Sequence, residues 1–351
     1  MTAVLLVGVG RSPGKSALAV ALGKRLQREG RSVGYVQPAF SGASGGAEAD
    51  AAFIGRTLGL KEPLTQLAPS CGALPVAKEQ AAGLQDHIAA ALATVAAGKD
   101  VVLVEAPGSL GDPAADSAIT LLADALDAKI IAVVRYEQGL DGAAVASRLN
   151  RLKARIAGVV VNSAPRKLLP VLGPVGQTLS QRGFPFLGFL PEDRRLYGFS
   201  IAEIASHLNA SFLTGQDKAG GLIENILLQA NPADPLSAYV DQKPNRMVIV
   251  RVDRPDLQLA SMDTGPRCLI LTGTGQELHG VINRAEDEGV PLLRVPINTQ
   301  ETIAALDGLL DGVRFRHDEK VARVLELVDQ HLDLAPVLAT LAPAAETAGT
   351  V

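Results

Sequence analysis

The fold of the first half of the chain is decided by residues 4–20, which read Val-Leu-Leu-Val-Gly-Val-Gly-Arg-Ser-Pro-Gly-Lys-Ser-Ala-Leu-Ala-Val. The aliphatic run Val4–Val7 predicts a buried strand, and the glycine-rich segment 8–14 predicts a turn after it. Lys15 and Ser16 then open an amphipathic pattern that predicts a helix to about Glu29. A strand, a glycine-rich turn and a helix in this order are the context that a phosphate-binding loop requires.

This loop has the chemistry to bind a nucleoside triphosphate. Consecutive backbone N–H groups and the positive end of the helix dipole would face the phosphates, Lys15 would reach the β- and γ-phosphates, and the Ser16 hydroxyl would bind Mg²⁺. Five residues separate Gly8 from Gly14, whereas the common pattern has four, and a turn that binds nothing is the alternative. The residues predicted to contact the nucleotide here are Gly8, Gly10, Arg11, Ser12, Pro13, Gly14, Lys15, Ser16 and Ala17.

Length and composition narrow the class of protein. The 351 residues suffice for two domains, and the net charge of −4 argues against nucleic acid as a partner. The two distant cysteines, Cys71 and Cys268, form no disulfide framework. With no basic leader before the first strand and no apolar stretch of the roughly 18 residues that a membrane span needs, the sequence predicts a cytoplasmic protein that binds no membrane.

Apolar runs alternate with helix-length segments, which predicts an α/β fold with a doubly wound, mostly parallel sheet. Further strands are expected at 33–36, 101–104, 130–134, 158–161 and 186–189, and helices at 78–97, 117–126, 141–155, 173–182 and 200–208. A second, smaller α/β pattern follows, with strands at 247–252, 268–271 and 292–295, and helices at 276–288, 299–310 and 314–334. The predicted domains are 1–213 and 214–334, followed by a flexible tail at 335–351.

Several motifs stand at the predicted strand ends in a recognisable order. After the loop come Gln37-Pro38-Ala39-Phe40-Ser41-Gly42, Ala49-Asp50-Ala51, Val104-Glu105-Ala106-Pro107-Gly108-Ser109, Val161-Asn162-Ser163 and Leu187-Gly188-Phe189-Leu190-Pro191. This succession resembles dethiobiotin synthetase and its relatives over roughly residues 1–212. The resemblance implies a P-loop ATP-binding domain with ATP and Mg²⁺ as its cofactors.

The second half resembles the DRTGG domain. Asp253-Arg254 and Thr272-Gly273 match the residues that name this domain, with Thr274 where a second glycine is expected. The pair of domains resembles the N-terminal, non-catalytic half of long bacterial phosphate acetyltransferases. This resemblance implies a regulatory or metabolite-sensing role, a homodimer, and a small-molecule effector or a metabolic enzyme as partner. The acetyltransferase reaction itself is not expected from this chain, because the transferase domain would need about 300 further residues.

Two carboxylates are implied to hold Mg²⁺ beside Ser16. Glu105 follows a strand directly, so its side chain is expected at the crevice where α/β sheets bind ligands. By the resemblance Glu105 also joins Lys15 as a catalytic residue, should the domain be an enzyme. The alternatives are a solvated loop acid for Glu105 and a helix-capping or surface acid for Asp50.

Three further positions bear on the ligand. Asn162 matches the asparagine that contacts adenine in the resembling family, and ordinary turn chemistry is the alternative. Pro191 is implied to border the nucleotide. Gln37 stands where dethiobiotin synthetase has a lysine, and a neutral amide cannot supply that lysine's point charge.

Three functions therefore remain open. The first is a regulatory ATP-binding protein, which the domain pair and Gln37 favour. The second is an ATP-dependent synthetase that activates a carboxylate, as dethiobiotin synthetase and cobyrinic acid amidase-like enzymes do. The third is a scaffold with a vestigial loop. In the second half, Asp253-Arg254 would either bind an anionic effector or form a local ion pair in a strand-to-helix loop, and Arg251 and Arg254 make a small positive locus.

Overall fold

The computed structural model describes residues 1–11, 13–41, 46–73, 90, 92–229, 242–309 and 312–341. The chain forms two compact units. The first contains residues 1–192 and the segment from Val321 onward, and the second contains residues 193–320. The helix predicted at 78–97 lies largely outside the described residues.

A six-stranded parallel sheet forms the centre of the first unit, in the order β2–β5–β1–β6–β7–β8. Its inner strands are almost entirely aliphatic and buried, as expected for a sheet covered on both faces. The strands are β1 (Thr2–Val9), β2 (Val33–Val36), β5 (Val101–Glu105), β6 (Lys129–Arg135), β7 (Ile156–Ala164) and β8 (Phe186–Pro191), with β3 (Ala39–Ser41) and β4 (Ser70–Ala73) paired separately.

The order of the strands creates a ligand crevice at a defined place. The chain leaves β1 for β2 on one side and leaves the neighbouring β5 for β6 on the other side. Such a reversal is the place where open α/β sheets bind ligands, outside the carboxyl ends of the strands. The helices of this part are α1 (Lys15–Arg28), α2 (Ala47–Leu58), α3 (Leu64–Leu67), α4 (Pro113–Ala125), α5 (Gly142–Leu149) and α6 (Gly173–Gln181).

The second unit has a five-stranded sheet in the order β10–β15–β14–β13–β12, in which only the β10–β15 pair is antiparallel. Its strands are β10 (Ser211–Thr214), β12 (Asn225–Leu228), β13 (Arg246–Arg251), β14 (Cys268–Thr272) and β15 (Leu292–Arg294), and β9 (Phe199–Ser200) pairs with β11 (Leu222–Ile223). Its helices are α7 (Arg194–Tyr197), α8 (Ile201–His207), α9 (Pro255–Met262), α10 (His279–Glu288) and α11 (Thr299–Leu309). One face of the sheet packs on α8 and α11, and the other packs on α9 and α10.

The domain boundary differs from the predicted one at 213/214. Residues 193–214 join the second unit, because β10 pairs with β15 and α8 packs on the second sheet. The chain returns to the first unit within α12 (Asp318–His331). Local sequence does not show this boundary, since it is created by pairing between strands that lie far apart in the chain.

The tail predicted from residue 335 is wrong for its first part. Residues Ala335–Thr340 form helix α13, which packs against β7 and buries Val337 completely. Leu341 is also buried, whereas residues 342–351 lie outside the described residues. An alanine- and proline-rich segment thus contributes to the core through two aliphatic side chains.

We expect Val337→Ala to lower the free energy of unfolding by about 2 kcal/mol, because it removes two buried carbons and leaves a cavity. The matched control is Val171→Ala, since Val171 is 67% exposed and the same change should cost less than about 0.5 kcal/mol. Urea denaturation monitored by circular dichroism measures both. Equal effects of the two substitutions would contradict the packing of α13.

Candidate functional site

The glycine-rich loop joins β1 to α1 with two residues in the left-handed region. Gly10 has φ +87°, and Gly14, which caps α1, has φ +93°. The positive φ of Gly14 favours glycine, and a Cβ atom there would lie only 2.2 Å from Asn162 Nδ2, so the Asn162 side chain would have to move. Pro13 is buried, Ala17 is half-buried and Arg11 is exposed. Ser12 lies outside the described residues.

The Lys15 side chain reaches across to the segment that follows β5. Its Nζ atom donates a hydrogen bond to the Gly108 carbonyl oxygen at 2.5 Å. Burial lowers the pKa of Lys15, and the nearby Glu105 carboxylate acts in the opposite direction. Gly8 lets the loop and the segment after β5 approach β1 closely, because a Cβ there would lie 2.6 Å from Pro13 Cγ and 2.8 Å from Ser109 Oγ.

Glu105 ends β5 and is almost completely buried, with 2% of its surface exposed. Its Oε2 atom accepts a hydrogen bond from Ser16 Oγ at 3.0 Å, and its Oε1 atom lies 2.8 Å from the Tyr35 hydroxyl. Burial raises the pKa of Glu105, while Lys15, Tyr35 and Ser16 partly offset the rise. The alternative of a solvated loop acid is therefore wrong, and the carboxylate faces the loop residues as the strand-end position predicted.

Tyr35 is a member of this cluster that the sequence reasoning missed. It is fully buried in β2, and its hydroxyl lies 2.9 Å from Gln37 Oε1 as well as close to Glu105. One hydroxyl proton can serve only one of these two oxygens at a time. A single tyrosine in an otherwise aliphatic strand, two residues before Gln37, was the available signal.

Asp50 lies in the first turn of α2 and is half-buried. Its negative charge contributes to raising the pKa values of both Glu105 and Tyr35. The structure thus brings the two predicted carboxylates into one electrostatic neighbourhood. Gly46 occupies the N-cap of α2 without a side-chain cap hydrogen bond, so Asp50 does not cap this helix, and its Mg²⁺ role stays a prediction.

Asn162 ties the loop to β7. Its Nδ2 atom donates to the Pro13 carbonyl at 2.8 Å, and its Oδ1 atom accepts from the Ser163 backbone N–H at 2.8 Å. Ser163 has φ +59°, so turn chemistry is present at this position. The contact with adenine stays a prediction. Pro191 is buried at the end of β8 and pairs with Ala164.

In the second unit, the motif residues lie at the carboxyl ends of β13 and β14. Local ion pairs do form in this loop, but with other partners than the adjacent Asp253 and Arg254: Arg251 pairs with Asp253, and Arg254 donates to Asp256 at 2.9 and 2.6 Å. The Thr272 hydroxyl is buried and lies 2.7 Å from Thr299 Oγ1. Thr272 therefore links the end of β14 to the start of α11, whereas the arginine pairs stay within one exposed segment.

The described residues lack two features, a cluster of metal ligands and a membrane-spanning helix. No cluster of three or more His, Cys, Asp or Glu side chains there is arranged to hold a metal ion. None of the helices in the same ranges is long and apolar enough to cross a membrane.

Comparison with protein families places this site in context. Residues 2–198, more than half of the chain, match the family model described as an AAA domain. The chain belongs to this AAA-domain family. Residues 203–309 match the DRTGG domain. The predicted order of a P-loop domain followed by a DRTGG domain is thus confirmed.

Phosphate acetyltransferases are among the curated relatives. The protein from Nitrosomonas europaea is 24% identical over 95% of this chain and 50% of its own length. The one from Pseudomonas aeruginosa is 24% identical over 95% of this chain and 51% of its own length. The chain thus spans about half the length of these relatives.

The fold also has likenesses among solved structures. The MinC:MinD cell division protein complex of Aquifex aeolicus aligns with a TM-score of 0.38 and 15% identity, covering 56% of this chain and 84% of that chain. The CBS and DRTGG domains of Clostridium perfringens pyrophosphatase align with a TM-score of 0.30 and 16% identity, covering 35% and 54%. Likenesses this distant carry no functional conclusion.

We expect the free energy of unfolding of Glu105→Gln, relative to that of the wild type, to increase as pH rises from 5 to 8. Burial raises the pKa of Glu105, so the folded protein keeps a proton that the unfolded chain releases. The wild type's free energy of unfolding therefore falls as pH passes through the folded-state pKa, and the glutamine variant lacks this loss. Urea denaturation at several pH values, with the exposed Glu192→Gln as control, measures the difference. A gap that narrows with rising pH would show that the ionised carboxylate is net stabilising.

Proposed function

We propose that the first unit binds ATP together with Mg²⁺ and that the protein is a regulatory, nucleotide-responsive module. The observation that carries this proposal is the glycine loop at the start of α1, with Lys15 near the hydrogen-bonded pair of half-buried Ser16 and buried Glu105. Backbone N–H groups, a helix N-terminus and an ammonium group converge there, and this combination suits a polyphosphate.

The donor set suits Mg²⁺. Ser16 offers a hydroxyl and Glu105 a carboxylate, 3.0 Å apart, and Asp50 adds negative charge nearby. Mg²⁺ prefers such hard oxygen ligands and retains several waters. When bound, it would neutralise charge on the β- and γ-phosphates. Ser16 and Glu105 would hold it, with Asp50 reached directly or through water.

Lys15 and Asn162 would act on the nucleotide itself. Lys15 now donates to the Gly108 carbonyl, and a bound phosphate oxygen would replace this acceptor with a charged one. Asn162 would present its amide to the adenine while it steadies the Pro13 carbonyl. The homodimer implied by the resemblance remains a prediction.

A regulatory role is favoured over a synthetase by Gln37. Its Oε1 atom lies beside the Tyr35 hydroxyl, so this side chain belongs to the network around Glu105 and carries no charge. A synthetase of the dethiobiotin type uses a cation at the matching position to fix its carbamate substrate. In the phosphate acetyltransferase relatives, the matched region is only about half of the protein. This supports the proposal that the matched half is a module that acts on another, catalytic domain.

We expect Lys15→Met to weaken ATP–Mg²⁺ binding by about 10- to 100-fold, because it removes a charge-assisted hydrogen bond worth roughly 1.5–3 kcal/mol. Isothermal titration calorimetry measures the dissociation constant. The matched control is Lys129→Met, since Lys129 is exposed at the opposite end of the sheet, where β6 begins. Equal affinities for the wild type and both variants would refute binding at the loop.

We expect no substrate-dependent release of ADP when ATP–Mg²⁺ is mixed with a panel of small carboxylates. A regulatory module needs differential affinity of ATP for two conformations, and carboxylate activation is not part of it. A coupled assay for ADP, with Lys15→Met as the background reading, tests this. A carboxylate that stimulates release in the wild type alone would establish the synthetase instead.

A further inference from the structure

The second unit contains an open cleft of about 610 Å³ that none of the sequence motifs predicted. Its walls come from the segments that lead into β14 and β15 and into β11, so it lies at the amino ends of these strands. The volume falls within the range of sites for small molecules. All of its lining residues belong to the second unit.

The cleft has an apolar floor and glycine walls. Ile201, Val290 and Pro291 are buried along it. A Cβ on Gly221 would lie 3.0 Å from Arg267 Nε, and a Cβ on Gly289 would lie 2.3 Å from Lys218 Nζ. The absence of side chains at these two glycines keeps the space beside both cations open.

Of the described residues that line the cleft, Arg267 and Lys218 are the two cationic ones, and Arg267 offers the planar guanidinium. Its Nη1 and Nη2 atoms donate to the two carboxylate oxygens of Glu319 at 3.1 and 2.6 Å. Both side chains remain about one-third exposed, at 32% and 38%, so the pair is accessible from the cleft. A planar guanidinium held in this way has the geometry to bind any carboxylate or phosphate.

Lys218 supplies a second positive charge. Its Nζ atom donates to the Gly289 carbonyl at 2.5 Å, at the end of α10. Two further acids border the cleft: Glu288, whose carboxylate accepts from Arg284, and Asp217, which is exposed. The charge of Glu288 is thus offset by Arg284. Glu319 is the acid that forms an ion pair with a cation of the cleft, Arg267.

We propose that this cleft binds a small metabolite through a terminal oxyanion, a carboxylate or a phosphate group. The oxyanion takes the place of Glu319 on the Arg267 guanidinium and gains the charge of Lys218. The rest of the molecule lies over the apolar floor. This site is independent of nucleotide binding by the first unit.

The test uses the full chain with Lys15→Met, so that the glycine loop competes less strongly for anions. Inorganic phosphate and acetate are titrated separately by calorimetry. We expect Arg267→Gln to weaken binding at least tenfold and Glu319→Gln to tighten it severalfold, because the second change removes the internal competitor. Phosphate-only or acetate-only binding identifies the group that the cleft prefers.

The opposite changes in anion affinity expected for Arg267→Gln and Glu319→Gln distinguish a role in binding from a role in folding. Both substitutions break the same ion pair, so a purely structural role would change stability in the same direction and leave the two affinities alike. Arg251→Gln is the matched control, because Arg251 also pairs with a neighbouring carboxylate but lies at the carboxyl end of β13. The proposal is overturned if neither anion binds, or if Arg267→Gln and Glu319→Gln shift affinity in the same direction. Loss of ATP binding alone would leave it untouched.

Discussion

The buried carboxylate of Glu105 is the constraint on which the first unit depends. A carboxylate with 2% exposure is costly unless hydrogen bonds and a nearby cation compensate for its lost hydration. Tyr35 from β2, and Ser16 and Lys15 from the start of α1, provide part of this compensation. Strands β2, β5 and β1 must therefore lie side by side with their ends aligned, and α1 must begin where it does. The arrangement that stabilises the acid also assembles the candidate site.

A second tie fixes the shape of the loop itself. Asn162 reaches the Pro13 carbonyl from the far side of β6, because β7 extends to Ala164. Gly14 permits this approach, since any Cβ would collide with the amide. Two hydrogen bonds therefore hold the loop. Lys15 bonds to Gly108 in the segment after β5, and Asn162 of β7 bonds to Pro13. A loop fixed by its own protein contacts has less conformational entropy to lose when a ligand binds.

What the sequence could predict was local. The aliphatic runs that became β1, β5, β6 and β7, and the loop before α1, follow from short-range pattern and were placed within a few residues. The partner of the Tyr35 hydroxyl could not be predicted, because it depends on the pairing of β2 with β5. The boundary near Glu192 and the burial of Val337 depend in the same way on contacts distant in the chain. Composition alone made residues 335–341 resemble a tail, although two aliphatic side chains suffice to fix them.

Lys15 and Arg267 share a feature that bears on how strongly either unit can bind an anion. Each cation already has an acceptor within the protein, a carbonyl for Lys15 and a carboxylate for Arg267. Binding is then an exchange of partners, and the free energy gained is the difference between the new contact and the old one. The exchange at Lys15 replaces a neutral acceptor with a charged one, whereas the exchange at Arg267 replaces one anion with another. The glycine loop should therefore bind tightly, and the cleft of the second unit should bind weakly enough to respond to changing metabolite concentrations.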